Sequence, residues 1–325
     1  PISVMGDHTH SKGGWMLSYR YMNMQMGCMR SGTKRVNSQN VFAANYAVAP
    51  ENMTMEMHML GMMYAPTNKL TLMAMANYID NEMEHRVSLE PLVTAIGDDQ
   101  FITRSNGLGD IRLSALYRFY LEENCKAHFG IGLSLPTGSI DEKDRTPRPP
   151  AKIGDPPSFN KNQLPASMQL GSGTFDLLPS LTYVQQFTDW SWGTQVRTVI
   201  RLEDENENNY RLGHKFELIN WISYNLSDWL GINGGLNYTY TGELKGDQKD
   251  VGTTAMMGRS VTTAFGDNYG GERIDVIFGI NLLKPSGFPK GHRFSLDLHL
   301  PLWQDLSGYQ VETDSVLTVG WQKAF

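Results

Sequence analysis

The sequence of 325 residues has little cysteine, no long apolar run and no excess of basic residues. Its two cysteines lack the CxxC and multi-cysteine spacings of zinc ribbons, iron–sulfur proteins and c-type cytochromes, so we do not expect such sites. No apolar run approaches the ~18 to 20 residues that a membrane helix needs, which excludes helical membrane proteins. A net charge of -6 without a cluster of Lys and Arg argues against a nucleic-acid partner.

The common catalytic motifs are also missing. The sequence contains no GxSxG nucleophile elbow, no HExxH motif, no P-loop and no GxGxxG between a strand and a helix. Asp297 and His299 fall on one predicted strand face near Ser295, but alternation alone places such residues side by side. A hydrolase needs a nucleophile, a base and oxyanion donors together. We therefore predict that the protein is not an enzyme.

The dominant pattern is an alternation of apolar and polar residues with a period of two. In the stretch 111–120, Ile111, Leu113 and Ala115 share one face, whereas Arg112 and Ser114 share the other. Sustained helical periodicity is absent. The alternation predicts about twelve strands, at 13–29, 51–65, 69–86, 107–121, 126–136, 174–187, 190–202, 212–224, 229–241, 272–284, 291–303 and 313–325.

The connections between these segments alternate in length. Short connections fall at 65–69, 122–126, 187–190, 225–228 and 285–290, and longer ones near 30–50, 87–106, 137–173, 203–211, 242–271 and 304–312. Outer-membrane barrels have short periplasmic turns and long extracellular loops, and their tilted strands cross the lipid in ~9 to 11 residues. We therefore predict an all-β fold, a single transmembrane antiparallel β-barrel of about 12 strands in the outer membrane of a Gram-negative bacterium.

The predicted barrel occupies residues 13–325 and follows a flexible segment at 1–12. Aromatic residues near the segment ends predict two girdles at the level of the lipid headgroups, because amphipathic rings favour that region. We expect outer-membrane lipid and lipopolysaccharide as partners. The girdle residues are Trp15, Tyr64, Tyr120, Phe187, Trp190, Trp192, Tyr224, Trp229, Trp303 and Trp321.

Several stretches carry a resemblance to a known family. Residues 107–113 (GLGDIRL) lead one predicted strand, residues 130–138 (GIGLSLPTG) end another, and the last strand closes on Phe325. The chain resembles the outer-membrane transporter-like barrels of the meta-pathway phenol-degradation family. Residues 5–16, with MGDHTH followed by GWM, resemble a Met- and His-rich subgroup of these barrels. The resemblance implies a β-barrel and a role in the passage of small molecules.

If the apolar face of each strand meets lipid, the alternate face lines the lumen, and that face is charged. One interpretation is a salt-bridged interior that holds a narrow barrel rigid, and the other is a polar conduit. Twelve strands lie between the filled eight-stranded barrels and the open sixteen-stranded porins, so we expect a narrow or partly blocked pore. The residues predicted to line the lumen are Arg20, Glu56, His58, Arg112, Arg118, His128, Asp176, Arg197, Arg201, Glu217, Arg273, Asp275, Arg293, Asp297 and His299.

Methionine is concentrated near the start of the chain, where 15 of the 18 Met residues fall within the first 83 positions. Thioether ligands suit Cu(I), and several histidines lie close in sequence, so a path for a soft metal is one interpretation. The other is that Met is a flexible apolar filler. The predicted soft-metal ligands are His8, His10, Met22, Met24, Met26, Met73 and Met75.

The orientation of the second strand follows from its two charged residues. With Glu56 and His58 directed inward, the methionines at 55, 57 and 59 turn toward lipid and Met62 stays inside. In the first strand, by contrast, Trp15 and Leu17 face outward, so the methionines at 22, 24 and 26 line the lumen. The two strands are therefore predicted to differ in where their methionines point.

Two further expectations concern Ca²⁺ and the cysteines. Acidic segments such as 80–82 and 203–207 offer the oxygen ligands that hard ions prefer, although a solvated charged loop is the favoured interpretation. No cofactor is required by the sequence. Cys28 lies near the outer end of the first strand and Cys125 in a short turn at the other end. Because a disulfide requires Cα atoms within about 7 Å, we predict that the two are not bonded.

These observations leave three functions. The leading one is a channel or transporter for passive passage of a small molecule. The second is an outer-membrane barrel that binds copper or another soft metal, and the third is a plugged barrel with a structural role or with loops that make self-association contacts. The substrate, the direction of transport and the oligomeric state do not follow from the sequence.

Overall fold

The computed structural model describes residues 1–88, 98–148, 158–253, 258–283 and 291–325. Its strands are long, and its one α-helix, α1, covers only Ser38–Ala43. Three short 3-10 helices lie at Ala166–Met168, Thr262–Ala264 and Gly266–Asn268. The strands are β1 (Trp15–Gly32), β2 (Lys34–Val36), β3 (Tyr46–Tyr64), β4 (Leu70–Val87), β5 (Gln100–Leu108), β6 (Ile111–Leu121), β7 (Cys125–Leu135), β8 (Lys143–Arg148), β9 (Ser158–Gln163), β10 (Asp176–Leu177), β11 (Ser180–Gln186), β12 (Trp190–Arg201), β13 (Tyr210–Arg211), β14 (Lys215–Asn225), β15 (Leu230–Thr241), β16 (Lys245–Gly246), β17 (Arg259–Val261), β18 (Gly271–Leu283) and β19 (His292–Ala324).

The main sheet closes on itself. Antiparallel pairing runs in the order β3, β1, β19, β18, β15, β14, β12, then β10 and β11, then β7, β6 and β4, and the pairing of β3 with β4 completes the barrel. Both β5 and β6 pair with β4, and both β10 and β11 pair with β7 and β12, so each couple forms one interrupted strand. Pairing thus closes the wall into a barrel, in which β5 pairs with β4 alone among the described strands.

The element β19 supplies two barrel strands. Its residues up to Leu306 pair with β18, and those from Leu306 onward pair with β1. The chain reverses near Gly308, which has a φ of 60°, and Ala324 N donates to Gly291 O at the far end of the hairpin. With β19 counted twice, the barrel has the twelve strands that the alternation predicts. The prediction of a long connection at 304–312 is wrong, because both halves of β19 remain in strand conformation up to the reversal near Gly308.

An apolar belt surrounds the barrel. Outward side chains such as Leu60 and Leu302, each 64% exposed, would be unfavourable in water and match the lipid-facing band of membrane barrels. At the end of the barrel with the short turns, Trp15 lies 4.3 Å from Tyr64, measured between ring centroids. No helix among the described residues is both long and apolar enough to cross a membrane.

The prediction for the orientation of β3 is wrong. His58 is exposed on the outer face, where its ring accepts or donates a 2.7 Å hydrogen bond with the hydroxyl of Tyr19, and Glu56 accepts a 2.7 Å bond from the outward Tyr21. Met59 is buried inside instead, and Met62 lies on the lipid side, 43% exposed. On the outer face both polar side chains are hydrogen-bonded to tyrosine hydroxyls, so charge alone does not mark the lumen.

The cysteines behave as predicted. Both Cys28 and Cys125 are free. Cys28 has a φ of 53° and sits at a register shift between β1 and β19, a β-bulge that bends the end of the strand.

Candidate functional site: the barrel lumen

Residues 1–12, which we call the plug segment, lie inside the barrel. The prediction that this segment is flexible is wrong, because Ile2 and Val4 are fully buried, each 1% exposed. Val4 packs in a cluster with Ile219, Trp221 and Ile277 from the barrel wall. The apolar side chains at alternate positions 2 and 4 were the available signal that this segment is packed rather than free.

The plug segment is hydrogen-bonded to several sides of the wall. Arg20 Nε on β1 donates to Ile2 O at 3.1 Å, and Asp297 on β19 accepts from Ser3 N and Ser3 Oγ at 2.8 and 2.7 Å. Across the lumen, the His128 ring on β7 bonds Gly6 O at 2.8 Å. Because these contacts come from well-separated strands, the segment crosses and obstructs the lumen.

Long connections cover the other end of the lumen. The GLGD and PTG stretches that carry the family resemblance form a clamp here, in which Asp110 accepts hydrogen bonds from Gly138 N and Ser172 N, both at 2.9 Å. A Cβ on Gly138 would lie 2.7 Å from Gly171 Cα, so the two backbones approach too closely for a side chain. The clamp directs residues 137–142 and 164–173 inward, as an inward-folded constriction requires.

This inward connection and the one at 242–271 form a packed cap. Met168 and Leu164 are each 1% exposed and pack on Met53 and Met83 of the wall. Ala166 N donates to the side chain of Gln248 at 2.7 Å, which ties the two connections together. Nearby, burial raises the pKa of Tyr210, in β13, to about 12. The cap therefore has a dry interior rather than a loose loop surface.

One part of the wall carries paired charges, and we call the inward faces of β7, β10, β12, β14, β18 and the first half of β19 the charged wall. Arg197 Nε donates to Glu217 at 2.5 Å, and Lys215 Nζ lies 3.2 Å from the same carboxylate. Arg273 Nε lies 2.9 Å from Asp275. Such pairing offsets the cost of taking charges out of water.

A further pair of the charged wall lies at the cap. Arg201 pairs with Asp176, whose carboxylate also accepts from Thr174 Oγ1 at 2.8 Å and Ser172 Oγ at 3.1 Å. Asp176 is 2% exposed. Arg293 donates to Asn281 and Gln322 rather than to a carboxylate, with its Nε 3.2 Å from the Asn281 amide oxygen. The wall is thus closely hydrogen-bonded from one end to the other.

Arg112 differs from these arginines. It lies on a continuous row of cross-strand partners that runs Met75, Arg112, Ser134, Asp176 and Arg201, and directly paired residues point to the same side of a sheet. Arg112 is nevertheless exposed to solvent, and within the described residues it has no carboxylate in ion-pair range. The lumen between plug segment and cap therefore contains solvent-accessible space.

The inward faces of β1, β3 and β4, which we call the methionine wall, carry thioethers instead of paired charges. Pairing aligns Met26, Met53 and Met83 in one row at the cap, the upper methionine rung, and Met16, Met63 and Met73 in another near the plug segment, the lower methionine rung. The rows between them also contain methionine in every case: Met24 with Met55, Met22 with Met57, then Met59, then Met75.

The structure brings some of the predicted metal ligands together and separates others. His8 and His10 approach the lower methionine rung with their ring centroids 5.0 Å apart, and His8 Nδ1 lies 2.6 Å from Asp7. Met73 and Met75 are near this group, whereas Met22, Met24 and Met26 belong to rows closer to the cap. Within the described part of the chain, no three or more His, Cys, Asp or Glu side chains are grouped so that they could hold a metal ion.

The remaining predicted lumen residues are placed as follows. His299, 8% exposed, and Asp297 lie on the charged wall, and Arg118 near the short-turn end donates to Asn68 O. Sequence reasoning missed the methionines of β3, Met83 and Met16 as wall residues. The orientation of β1 was predicted correctly from Trp15 and Leu17. Because directly paired residues point to the same side, the register between β1 and β3 was the signal that could have placed the β3 methionines on the inner wall.

Comparison with known proteins identifies the fold. The chain is similar to an outer membrane channel from Pseudomonas putida F1, with a TM-score of 0.64 and 14% identity over 100% of both chains. It is also similar to the toluene transporter TodX of P. putida, with a TM-score of 0.52 and 10% identity over 97% of this chain and 91% of the other. No family model matches the chain, and no curated relative matches it.

These likenesses establish an architecture. The fold is that of outer-membrane channel barrels, which confirms the predicted all-β transmembrane barrel. With its apolar belt and its aromatic pairs at the short-turn end, the barrel is an outer-membrane protein.

Proposed function

We propose that this barrel passes a small solute across the outer membrane and that the plug segment closes the route at rest. The observation that carries the proposal is Arg112, a solvent-exposed cation on the inner wall between plug segment and cap. A barrel with a purely structural role needs no charged, solvent-accessible chamber. The resemblance to the meta-pathway phenol-degradation barrels supports the same role.

Because the plug segment obstructs the lumen, the proposal requires that this segment can be displaced. Its contacts with the wall combine single hydrogen bonds, such as those to Ile2 O and Gly6 O, each of net worth ~0.5 to 1.5 kcal/mol, with the burial of the Ile2 and Val4 side chains. A segment held by separable contacts of this size can leave the lumen without disturbing the pairing of the strands. Movement of residues 1–12 would then open the periplasmic side.

Single-channel conductance in a planar bilayer tests this proposal. A reversible lock is available, because a Cβ on Gly320 would lie 2.5 Å from Ile2 Cγ1. The variant Ile2→Cys with Gly320→Cys, made in a Cys28→Ser, Cys125→Ser background, should conduct little when oxidised and more after reduction. The same background without the lock is the matched control and should not respond to the reductant.

A second variant lacks residues 1–10. We expect larger and steadier conductance than in the full chain, and faster swelling of proteoliposomes in a small sugar. If both the unlocked and the shortened barrel stay silent in conductance and in swelling, the plugged structural barrel is the better description.

A further inference from the structure

We propose that the methionine wall is a binding track for a soft monovalent cation, Cu(I) or Ag(I), with its innermost site at the lower methionine rung beside His8 and His10. As a route across the membrane this inference rests on the proposed function, but binding itself does not. Thioether sulfur and imidazole nitrogen are ligands that suit Cu(I), whereas hard cations prefer oxygen.

The distribution of methionine between the two faces supports the proposal. Along β1, β3 and β4, methionine fills positions of every row on the inner face from the upper to the lower rung, but on the outer face the apolar positions are Leu, Tyr, Trp and Ala, with Met62 as the exception. A flexible apolar filler would serve equally well against lipid. The preference for the inner face therefore indicates a role for the sulfur atoms.

The spacing of the rows suits an ion that moves from one set of thioether ligands to the next. Directly paired residues on neighbouring strands have Cβ atoms about 4.5 to 5.5 Å apart, so flexible Met side chains of one rung can reach a common ion. Successive inward rows are roughly 7 Å apart, two residues of strand rise. An ion can thus leave one set of thioethers as it meets the next.

The lower rung also borders a small cavity. A space of about 10 Å³, close to the size of one water-sized occupant, is lined by Asp7, His8, Arg20, Met16, Met62, Met63, Met73 and Met75. His10 Nε2 is buried nearby with no hydrogen-bond partner among the described residues. A cation held here would meet thioethers from the wall, imidazoles from the plug segment and the charge of Asp7, which Arg20 at the same cavity also attracts. The plug segment would then sense the ion that passes it.

Silver binding to the purified, tag-free barrel tests the inference, with Ag(I) nitrate as the probe in chloride-free buffer. The matched pair is Met63→Leu, on the lower rung, and Met29→Leu, a buried methionine of β1 that packs on Val41 and Tyr46 away from the rungs and the cavity; both swaps conserve volume. We expect Met63→Leu to weaken silver binding by roughly tenfold or more, whereas Met29→Leu leaves it unchanged. Excess Mg²⁺ or Ca²⁺ should not displace the silver. Heat-shifted migration in gels checks that each variant is folded.

The outcomes separate this inference from the proposed function. If the barrel binds no silver, or if the two variants bind it equally, the methionine track is wrong, whatever the conductance shows. If silver binds in a Met63-dependent manner but neither ions nor sugar pass any variant, the binding site stands and passage fails. Block of conductance by low Ag(I), lost in Met63→Leu, would support both.

Discussion

The methionine wall and the charged wall face each other across one lumen, and they are built on opposite principles. On the charged wall, Asp176 and Arg201 depend on each other, since either alone would be a buried charge without a partner. On the methionine wall, the thioether side chains are neutral and adaptable, and the inward cation Arg20 donates to the plug segment. The comparison shows that the ion pairs of the charged wall stabilise the barrel, whereas the methionines are available to bind a ligand.

The largest expected loss of stability comes from breaking an ion pair of the charged wall. Replacing Asp176 by Ala leaves Arg201 without its carboxylate, and removal of one partner from a buried ion pair costs about 3 to 5 kcal/mol. Met57→Leu on the other wall should cost less than about 1.5 kcal/mol, because it conserves volume and strands no charge. Urea unfolding of the barrels in lipid vesicles measures both, and similar costs would mean that the walls do not differ in the way described.

The next effect tests which face meets lipid. Leu113 is 46% exposed on the outside of β6, and an arginine there should cost about 2 to 4 kcal/mol if it lies near the middle of the bilayer. Ser114→Arg, one residue along, points inward and should cost much less. The same unfolding measurement applies, and a greater cost for Ser114→Arg would reverse the assignment of faces.

A smaller effect is expected at the outside of the methionine wall. His58→Leu removes the 2.7 Å hydrogen bond to Tyr19, worth ~0.5 to 1.5 kcal/mol, on the outer face. It should leave silver affinity unchanged, in contrast to Met63→Leu inside. A loss of silver binding would place this imidazole in the lumen after all.

The smallest cost in stability is expected at Arg112. Since this side chain is solvent-exposed and has no ion-pair partner within the described residues, Arg112→Glu should hardly change the free energy of unfolding. It should, however, shift the reversal potential under a salt gradient toward cation selectivity, because a luminal charge changes sign. Arg112→Gln should fall between the two, and an unchanged reversal potential would remove Arg112 from the conducting path.

Much of the barrel could be predicted from residue patterns. Alternation in stretches such as 111–120, with short and long connections in turn, predicts twelve strands because side chains on a strand point alternately to its two sides. Prediction failed at Glu56 and His58, where charge was taken as a mark of the lumen. It also failed for residues 1–12, since no local pattern states that a short segment returns into the barrel.

The amino-acid sequence by itself determined the strand number, the alternation of faces, the apolar belt and the wealth of methionine. Those properties are local, and each follows from side-chain chemistry and a period of two. Only the tertiary structure decided that Met16, Met63 and Met73 share a row, that the GLGD stretch clamps a loop inward, and that the plug segment crosses the lumen. Register and closure are long-range properties, because they depend on which strands become neighbours and at what offset.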